Sequence, residues 1–425
     1  MALVETLFGD DAGILRKRQF RLLLLANVNA ALGTVLVSPL LEALTGPFAV
    51  SDVRVGLLMT AFTAPPVLGI PLVGMVSDRY GRKPVLVAGL GLFGLSGAAI
   101  GLVSTFEVAL ALRVLQGVGY AGITPVIITS LGDLYADATE ATAQGLRFTS
   151  SGVAQAIVPL VAGVLVGVAW QYPFFIYAMA LPIAGLVALY FEETSASAAG
   201  EAPSQGIAPD GGTDSGRGGY AKAVGGLLVQ PKIAAVLVAF TVPSFLYVAF
   251  LTYNSFLVVR LLDGTPGVAG GLIAVISVVY AGAASQAGRV TDYVGSRVRP
   301  LVVANLLMGL GLAVAALAPA LPVAVVGVAV MGLGIGLSFS LLRSVLTGLA
   351  PETYRGGLVG VGESVIRLSN SVAPVVMGWL VAGFALTTGG DVAIRYSLLA
   401  VGIGGAVVGA VAMVAAGAAP PVVEE

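Results

Sequence analysis

The sequence predicts an all-α membrane protein with twelve transmembrane helices arranged as two pseudo-symmetric six-helix bundles. Three observations support this class: the apolar composition, the even spacing of apolar stretches, and landmarks that recur half a chain apart. The chain has 425 residues, of which 57% are hydrophobic and 10% are charged, whereas roughly a quarter of an ordinary soluble domain is charged. At about 20 residues per membrane-spanning helix, the apolar residues suffice for about a dozen spans.

The apolar stretches are each about 20 residues long and are separated by short segments of Gly, Pro and charged residues. We number these spans in chain order and predict their limits at 20–43, 55–76, 85–104, 108–131, 146–168, 172–191, 231–258, 268–288, 300–317, 321–342, 357–384 and 394–417. The segment between the sixth and seventh spans is rich in Gly, Ser, Ala and Pro, as is typical of a flexible linker. We therefore predict an N-terminal bundle at 1–191, a cytoplasmic linker at 192–230 and a C-terminal bundle at 231–425.

The distribution of Lys and Arg predicts the orientation, because basic residues in short connecting segments stay on the cytoplasmic side. With the N-terminus inside, sixteen of the 21 basic residues fall in inner segments, and only Arg54, Arg260 and Arg395 fall in outer ones. The remaining two, Arg113 and Arg367, lie within spans. We expect a multi-pass protein of the cell membrane with both termini in the cytoplasm.

The composition also excludes several classes of function. The chain has no Cys and no His, so it lacks thiolates, the commonest metal ligand and the usual general base. It contains no Walker loop, no Ser nucleophile elbow and no pair of carboxylates at hydrolase spacing. Its formal net charge of −1 gives no positive field to attract nucleic acid. We expect neither an enzyme nor a nucleic-acid-binding protein, and no metal or cofactor.

A loop motif recurs after the second span of each predicted bundle. It reads GMVSDRYGRK from Gly74 in the first copy and GRVTDYVGSR from Gly288 in the second. A second landmark pairs VPLVAG in the fifth span with APVVMG in the eleventh. The first landmark has an offset of 214 residues and the second an offset of 215. This agreement is expected of a duplicated six-helix unit.

The first loop motif closely resembles the G-x-x-x-D-R-x-G-R-K pattern of the major facilitator superfamily. Two further segments are similar to motifs of its twelve-span drug:proton antiporters. The fourth span carries RVLQGVG from Arg113, which resembles their R-x-x-Q-G-x-G segment. The fifth span resembles their G-P-x-x-G-G antiporter motif, with Val158 and Ala162 in place of two glycines. The antiporter-like residues are Gly152, Pro159 and Gly163.

The resemblance implies that the loop motif is a conformational latch on the cytoplasmic side. Gly74 removes a side chain where a helix must approach, and Gly81 permits a tight turn. Asp78 is placed to accept hydrogen bonds from Arg82 or to face the N-terminal end of the eleventh helix. The alternative is that the basic residues only fix the topology. The candidate latch residues are Gly74, Asp78, Arg79, Gly81, Arg82, Lys83 and Asp292.

Three charged residues within spans are candidates for proton coupling or for a cavity charge: Arg113, Glu363 and Arg367. Arg113 lies about 9 Å into its span, where it either faces a central cavity or serves packing. Glu363 and Arg367 stand one turn apart on the same helix face, at depths of about 9 and 15 Å. They form either a structural ion pair, or a protonatable carboxylate whose charge state depends on the nearby cation.

Candidates for the substrate cavity come from polar and aromatic residues within the spans. Many drug:proton antiporters carry an acid in the first span, whereas this chain has Asn27 and Asn29 there. Such side chains bind either a substrate or a neighbouring helix, and helix packing is the simpler role. Aromatic residues of the seventh span either line an apolar cavity or pack against lipid. The full candidate set is Asn27, Asn29, Gln116, Tyr253 and Asn254.

The resemblance implies a secondary active transporter that works by alternating access, with protons as the coupling ion. We expect efflux of a small amphipathic or drug-like compound by a monomer in the lipid bilayer. The sparse charge within the spans favours an apolar or weakly polar substrate, because a phosphate or dicarboxylate would require several cations in the cavity. The alternative is an uptake symporter or uniporter for a sugar or organic acid, which would have the same fold.

Overall fold

A computed structural model describes residues 9–194, 225–349 and 355–419. Within these ranges the chain is helical and contains no strand. Twelve helical spans are long and apolar enough to cross a membrane, which confirms the predicted all-α class and the number of spans. They are Arg18–Leu44, Asp52–Tyr80, Arg82–Leu102, Phe106–Leu134, Thr139–Val166, Tyr172–Tyr190, Pro231–Leu261, Pro266–Val294, Val298–Leu317, Leu321–Leu349, Gly357–Thr388 and Gly390–Ala418.

Each observed span overlaps its predicted counterpart, but the fifth and tenth extend seven residues further than predicted. The fifth begins at Thr139 rather than 146, and the tenth ends at Leu349 rather than 342. Helical hydrogen bonding continues beyond the apolar run, which hydropathy alone does not show. This extension moves Arg343 from a predicted connecting segment into a helix, and it places Arg147 well inside the fifth span rather than at its start.

Several spans in the first half are interrupted helices. A break leaves backbone carbonyls of the last turn without intrahelical partners, so buried donors can bind them. Proline begins some of the new segments, because it has no backbone N–H to satisfy. The first span consists of Arg18–Val35, a 3-10 turn Ser38–Leu40 and Leu41–Leu44. The second consists of Asp52–Val55, Leu57–Thr63 and Pro65–Tyr80, and the fourth of Phe106–Ala121 and Thr124–Leu134.

The chain divides into two compact units. The first unit contains the first six spans together with Thr265–Gly271, and the second contains the remainder of the seventh to twelfth spans. Most of the predicted linker, at 195–224, lies outside the described residues, and 225–229 form a short helical turn. The predicted limits of the bundles and linker remain a prediction.

Helix crossings within the two units repeat at nearly the same offset as the sequence landmarks. A side chain added at Gly119 would collide with the backbone of Gly89 and Phe93, in the third span. At Gly334 it would collide with the backbone of Ala304 and Met308, in the ninth. Each of these three positions in the second unit lies 215 residues after its counterpart. Glycine thus permits the same close approach of two helices in both units.

Candidate functional site

Arg113 lies at the centre of a buried polar cluster in the first unit and has no exposed surface. Its guanidinium donates hydrogen bonds to the carbonyl oxygens of Gly33 at 3.0 Å and Leu58 at 3.1 Å. A third bond reaches the side-chain oxygen of Gln116 at 2.6 Å, and a fourth the hydroxyl of Tyr177 at 3.4 Å. Gly33 is in the last turn of the first helix of its span, where carbonyls lack intrahelical partners. Arg113 therefore ties four segments of the first unit together.

No carboxylate among the described residues pairs with Arg113. The face of the Phe62 ring lies 4.5 Å from the guanidinium carbon, so carbonyl dipoles and an aromatic ring offset the cost of burying this cation. The structure encloses Arg113 among packed helices, and a role in a central cavity remains a prediction. Depth along a helix was predictable, but the direction of the side chain depends on neighbouring helices.

Asn27 belongs to a second buried cluster, which joins the first and fifth spans. Its amide nitrogen donates to the carbonyl of Arg147 at 3.0 Å and to the hydroxyls of Ser150 at 3.1 Å and Ser151 at 2.7 Å. The Arg147 guanidinium donates to the side chains of Asn27 at 3.4 Å and Gln144 at 2.9 Å. Sequence reasoning assigned Arg147, which is only 6% exposed, to the topology alone. It lies at the predicted start of the fifth span, and no local signal indicated that its side chain points inward.

The five residues predicted to line a substrate cavity are buried within the units. Asn27 is 2% exposed and Asn29 1%, while Gln116, Tyr253 and Asn254 are fully buried. The Asn29 amide donates to the carbonyl of the residue four positions earlier, at 2.9 Å. Polar side chains in membrane helices bind neighbouring backbone because lipid offers no hydrogen-bond partner. In this structure they present almost no surface, and their place in a substrate cavity remains a prediction.

Glu363 forms an ion pair in the second unit, but not with the residue predicted. Its carboxylate lies 2.5 Å from the Arg343 guanidinium, on the tenth span. Arg367, one turn further along the eleventh span, forms no ion pair with any described residue. The predicted pair between Glu363 and Arg367 is therefore replaced by a contact between two helices. Arg343 was missed because hydropathy ended the tenth span one residue before it.

The Glu363–Arg343 pair remains accessible although it lies at membrane depth. The Arg343 side chain is 50% exposed and the Glu363 side chain 36%. Glu363 is six residues inside the eleventh span, or about 9 Å. A charge exposed to lipid at this depth is costly, so such residues face a water-filled space. The pair thus lies at the surface of the second unit rather than in its core.

The loop motif of the first unit brings together some of the predicted latch residues. The Arg82 guanidinium pairs with Asp78 and with Asp133, the latter at 3.2 Å, and donates to the Ser77 hydroxyl at 3.1 Å. Gly81 has a φ of 101°, a conformation that L side chains rarely adopt. Asp133, at the end of the fourth span, was not predicted, because spacing within the motif carries no signal for it.

The other predicted latch residues make few or no side-chain contacts within the loop motif. A side chain added at Gly74 would meet no described atom within 4 Å. The Arg79 guanidinium lies 5.5 Å from the ring of Tyr80. Lys83 contributes its backbone amide, which donates to the Glu193 carboxylate at 3.1 Å. In the second copy of the motif, Asp292 forms no ion pair with any other described residue.

The antiporter-like residues of the fifth span lie at a close backbone approach within the first unit, which includes Thr265–Gly271. A side chain added at Gly163 would collide with the backbone of Pro266, and one added at Gly270 with the backbone of Pro159. Gly152, by contrast, has no described atom within 4 Å of an added side chain. Two of the three predicted residues therefore contribute to one tight crossing.

Twelve spans with duplicated helix crossings, buried polar clusters and a surface ion pair define a helical membrane protein built from two similar units. The chain belongs to the Major Facilitator Superfamily, whose family model matches residues 23–262 and 254–425. The protein is therefore a multi-pass membrane transporter and not an enzyme, as the resemblance of the loop motif implied.

Two curated relatives are named as exporters or drug transporters. The bacillibactin exporter of Bacillus subtilis (strain 168) is 32% identical over 150 residues, which cover 34% of this chain and 37% of that protein. The multidrug transporter MdfA of Yersinia pestis bv. Antiqua (strain Angola) is 32% identical over 167 residues, covering 39% of this chain and 41% of that protein. Each match thus spans less than half of the relative's length.

Solved structures show the same fold at low sequence identity. A bacterial homolog of the human lysosomal transporter Spinster, inward-facing and occupied, has a TM-score of 0.77 at 17% identity and covers 95% of this chain and 97% of that one. A D-xylose-proton symporter has a TM-score of 0.70 at 15% identity and covers 90% of this chain and 95% of that one. These likenesses show the fold alone.

Proposed function

We propose that the protein works by alternating access and couples export of a small amphipathic compound to proton entry. The fourth- and fifth-span motifs and the two relatives named as exporters support this direction. The excess of basic residues in alternate connecting segments supports a position in the cell membrane with both termini in the cytoplasm. The loop motif of the first unit is proposed to act as the cytoplasmic latch.

The observation that carries proton coupling is the ion pair between Glu363 and Arg343. Among the described residues, Glu363 is the carboxylate farthest from either end of its span. A neighbouring guanidinium favours the ionised carboxylate, and separation of the two in a poorly hydrated site favours proton uptake. A conformational change that separates the tenth and eleventh spans locally would bind a proton, and their re-pairing would release it.

The test is Glu363→Gln, which preserves the shape of the side chain but removes its charge. Purified protein in liposomes is given a pH gradient and a panel of amphipathic compounds, and lumenal pH is recorded. We expect substrate-dependent proton flux to fall to the level of empty liposomes, while the protein remains inserted and folded. Unchanged proton flux in Glu363→Gln would contradict the assignment.

A matched control is Glu107→Gln, at the start of the fourth span. Glu107 also pairs with an arginine, Arg54, at 3.0 Å, but both side chains are largely exposed at the end of their spans. An exposed pair of this kind contributes little. We expect wild-type proton flux in Glu107→Gln, and equal losses in both variants would indicate a general effect of removing a carboxylate.

The alternative is uptake of a sugar or organic acid together with protons. Arg343 and Arg367 favour an organic acid over a sugar, because their cations would attract an organic anion. An organic anion bound to Arg343 would displace Glu363 and promote its protonation, so that anion and proton bind together. A neutral or cationic compound that needs the ionised carboxylate would instead exchange with a proton. The direction of proton movement on adding substrate distinguishes symport from antiport.

A further inference from the structure

Two adjacent glutamates follow the sixth span and contact different partners. The Glu193 carboxylate accepts hydrogen bonds from the backbone amides of Arg82 at 2.7 Å and Lys83 at 3.1 Å. The backbone amide of Thr194 also donates to it, at 3.0 Å. Glu192 instead pairs with Arg18, at 2.9 Å. Glu193 therefore contacts the first turn of the third span, whereas Glu192 does not.

The helix Arg82–Ala99 has no cap from its own sequence. Its N-cap residue is Gly81, which has no side chain to accept hydrogen bonds from the free amides of the first turn. Those amides and the helix dipole make the site favourable for a negative charge. Glu193, 111 residues further along the chain, supplies it. A side chain added at Gly81 would meet the Glu193 carboxylate, so this glycine also makes room for the distant cap.

The same contacts determine where the Arg82 side chain lies. Glu193 holds the Arg82 backbone, the Arg82 guanidinium pairs with Asp133 at 3.2 Å, and the Thr194 hydroxyl donates to that carboxylate at 3.5 Å. We infer that Glu193 is a positioning residue, which fixes the turn at Gly81 so that Arg82 reaches Asp78 and Asp133 together. The effect of this positioning on transport rests on the proposed function of the loop motif as a latch.

The second copy of the motif provides a matched control. Gly295 also has a positive φ, of 64°, but a side chain added there would meet no described atom within 4 Å. Substitution of Gly295 by Ala therefore introduces backbone strain alone. Substitution of Gly81 by Ala introduces strain and, in addition, displaces the Glu193 carboxylate.

A double-mutant cycle in melting temperature tests the inference without any transport assay. The variants are Gly81→Ala and Gly295→Ala, each with and without Glu193→Ala, in detergent. We expect Gly81→Ala to lower the melting temperature more when Glu193 is present than when Glu193 is replaced by Ala. The difference between the two backgrounds should be about 2 °C or more. Gly295→Ala should cause the same loss in both backgrounds. Additive losses for Gly81→Ala and Glu193→Ala would overturn the inference.

Transport then tests whether the cap positions the loop for function. We expect Glu193→Ala to lower substrate-dependent flux by about 5-fold or more, with partial rescue in Glu193→Gln, which keeps one acceptor oxygen. Glu192→Ala should retain wild-type flux, because its pair with Arg18 is exposed and worth little. If the melting temperatures show that Gly81→Ala and Glu193→Ala are coupled, but Glu193→Ala leaves flux unchanged, the positioning role is overturned. If wild-type protein transports nothing, the proposed function fails, while the melting cycle still decides whether Glu193 caps the helix.

Discussion

The two units pack their helices alike but differ in their buried polar side chains. At the offset of 215 residues set by the helix crossings, Arg113 corresponds to Val328 and Gln116 to Met331. All four side chains are fully buried. The second unit has apolar side chains at both positions, so this bundle design does not require a buried cation there. The cluster around Arg113 is therefore a feature particular to the first unit.

The ion pair of the second unit has apolar counterparts in the first unit. Arg343 corresponds to Ile128 and Glu363 to Phe148 in the first unit, at the same offset. Ile128 is 39% exposed and Phe148 is 51% exposed, so this surface is apolar in the first unit and charged in the second. One unit thus encloses its buried arginine among carbonyl groups, and the other carries a charged pair at its surface. The proton coupling proposed above rests on the surface pair.

The largest expected difference between the units concerns the corresponding positions Arg113 and Val328. Arg113→Ala should lower the free energy of unfolding by about 2–4 kcal/mol, because two buried carbonyls each lose a charged donor and a cavity remains. Val328→Ala removes two methyl groups and should cost about 1–2 kcal/mol. Unfolding titrations in mixed micelles would measure both. Equal losses in the two variants would show that the first unit does not depend on its polar cluster.

A smaller effect should be the same in both units. Gly119→Ala and Gly334→Ala each introduce a side chain against the backbone of a neighbouring helix, which should cost about 1–3 kcal/mol. The same titrations would measure these losses. Gly152→Ala is the control, because its added methyl group meets no described atom. If one crossing tolerated alanine and the other did not, the structural equivalence of the two units would be contradicted.

Hydropathy and motif spacing were sufficient to predict the twelve spans and the position of Glu363, because both are local properties of the sequence. They did not reveal the contacts of Arg343 or Arg147, because the helices continue beyond the apolar runs that mark them in the sequence. They also missed Asp133 and Glu193, whose contacts with Arg82 join residues 51 and 111 positions apart. Such contacts depend on tertiary packing, as does the rotation that directs a side chain such as Arg113 inward.

The smallest expected effect compares the aspartates of the two loop motifs. Asp78 pairs with Arg82, although the Asp78 side chain is 67% exposed. Asp78→Asn should therefore cost at most about 1 kcal/mol of stability while lowering substrate-dependent flux, because Arg82 loses one of its two carboxylates. Asp292 has no ion-pair partner among the described residues, so Asp292→Asn should change neither quantity. Flux in liposomes and melting in detergent would measure both variants. Equal loss of flux in the two variants would mean that the two motif copies act alike, despite their different contacts.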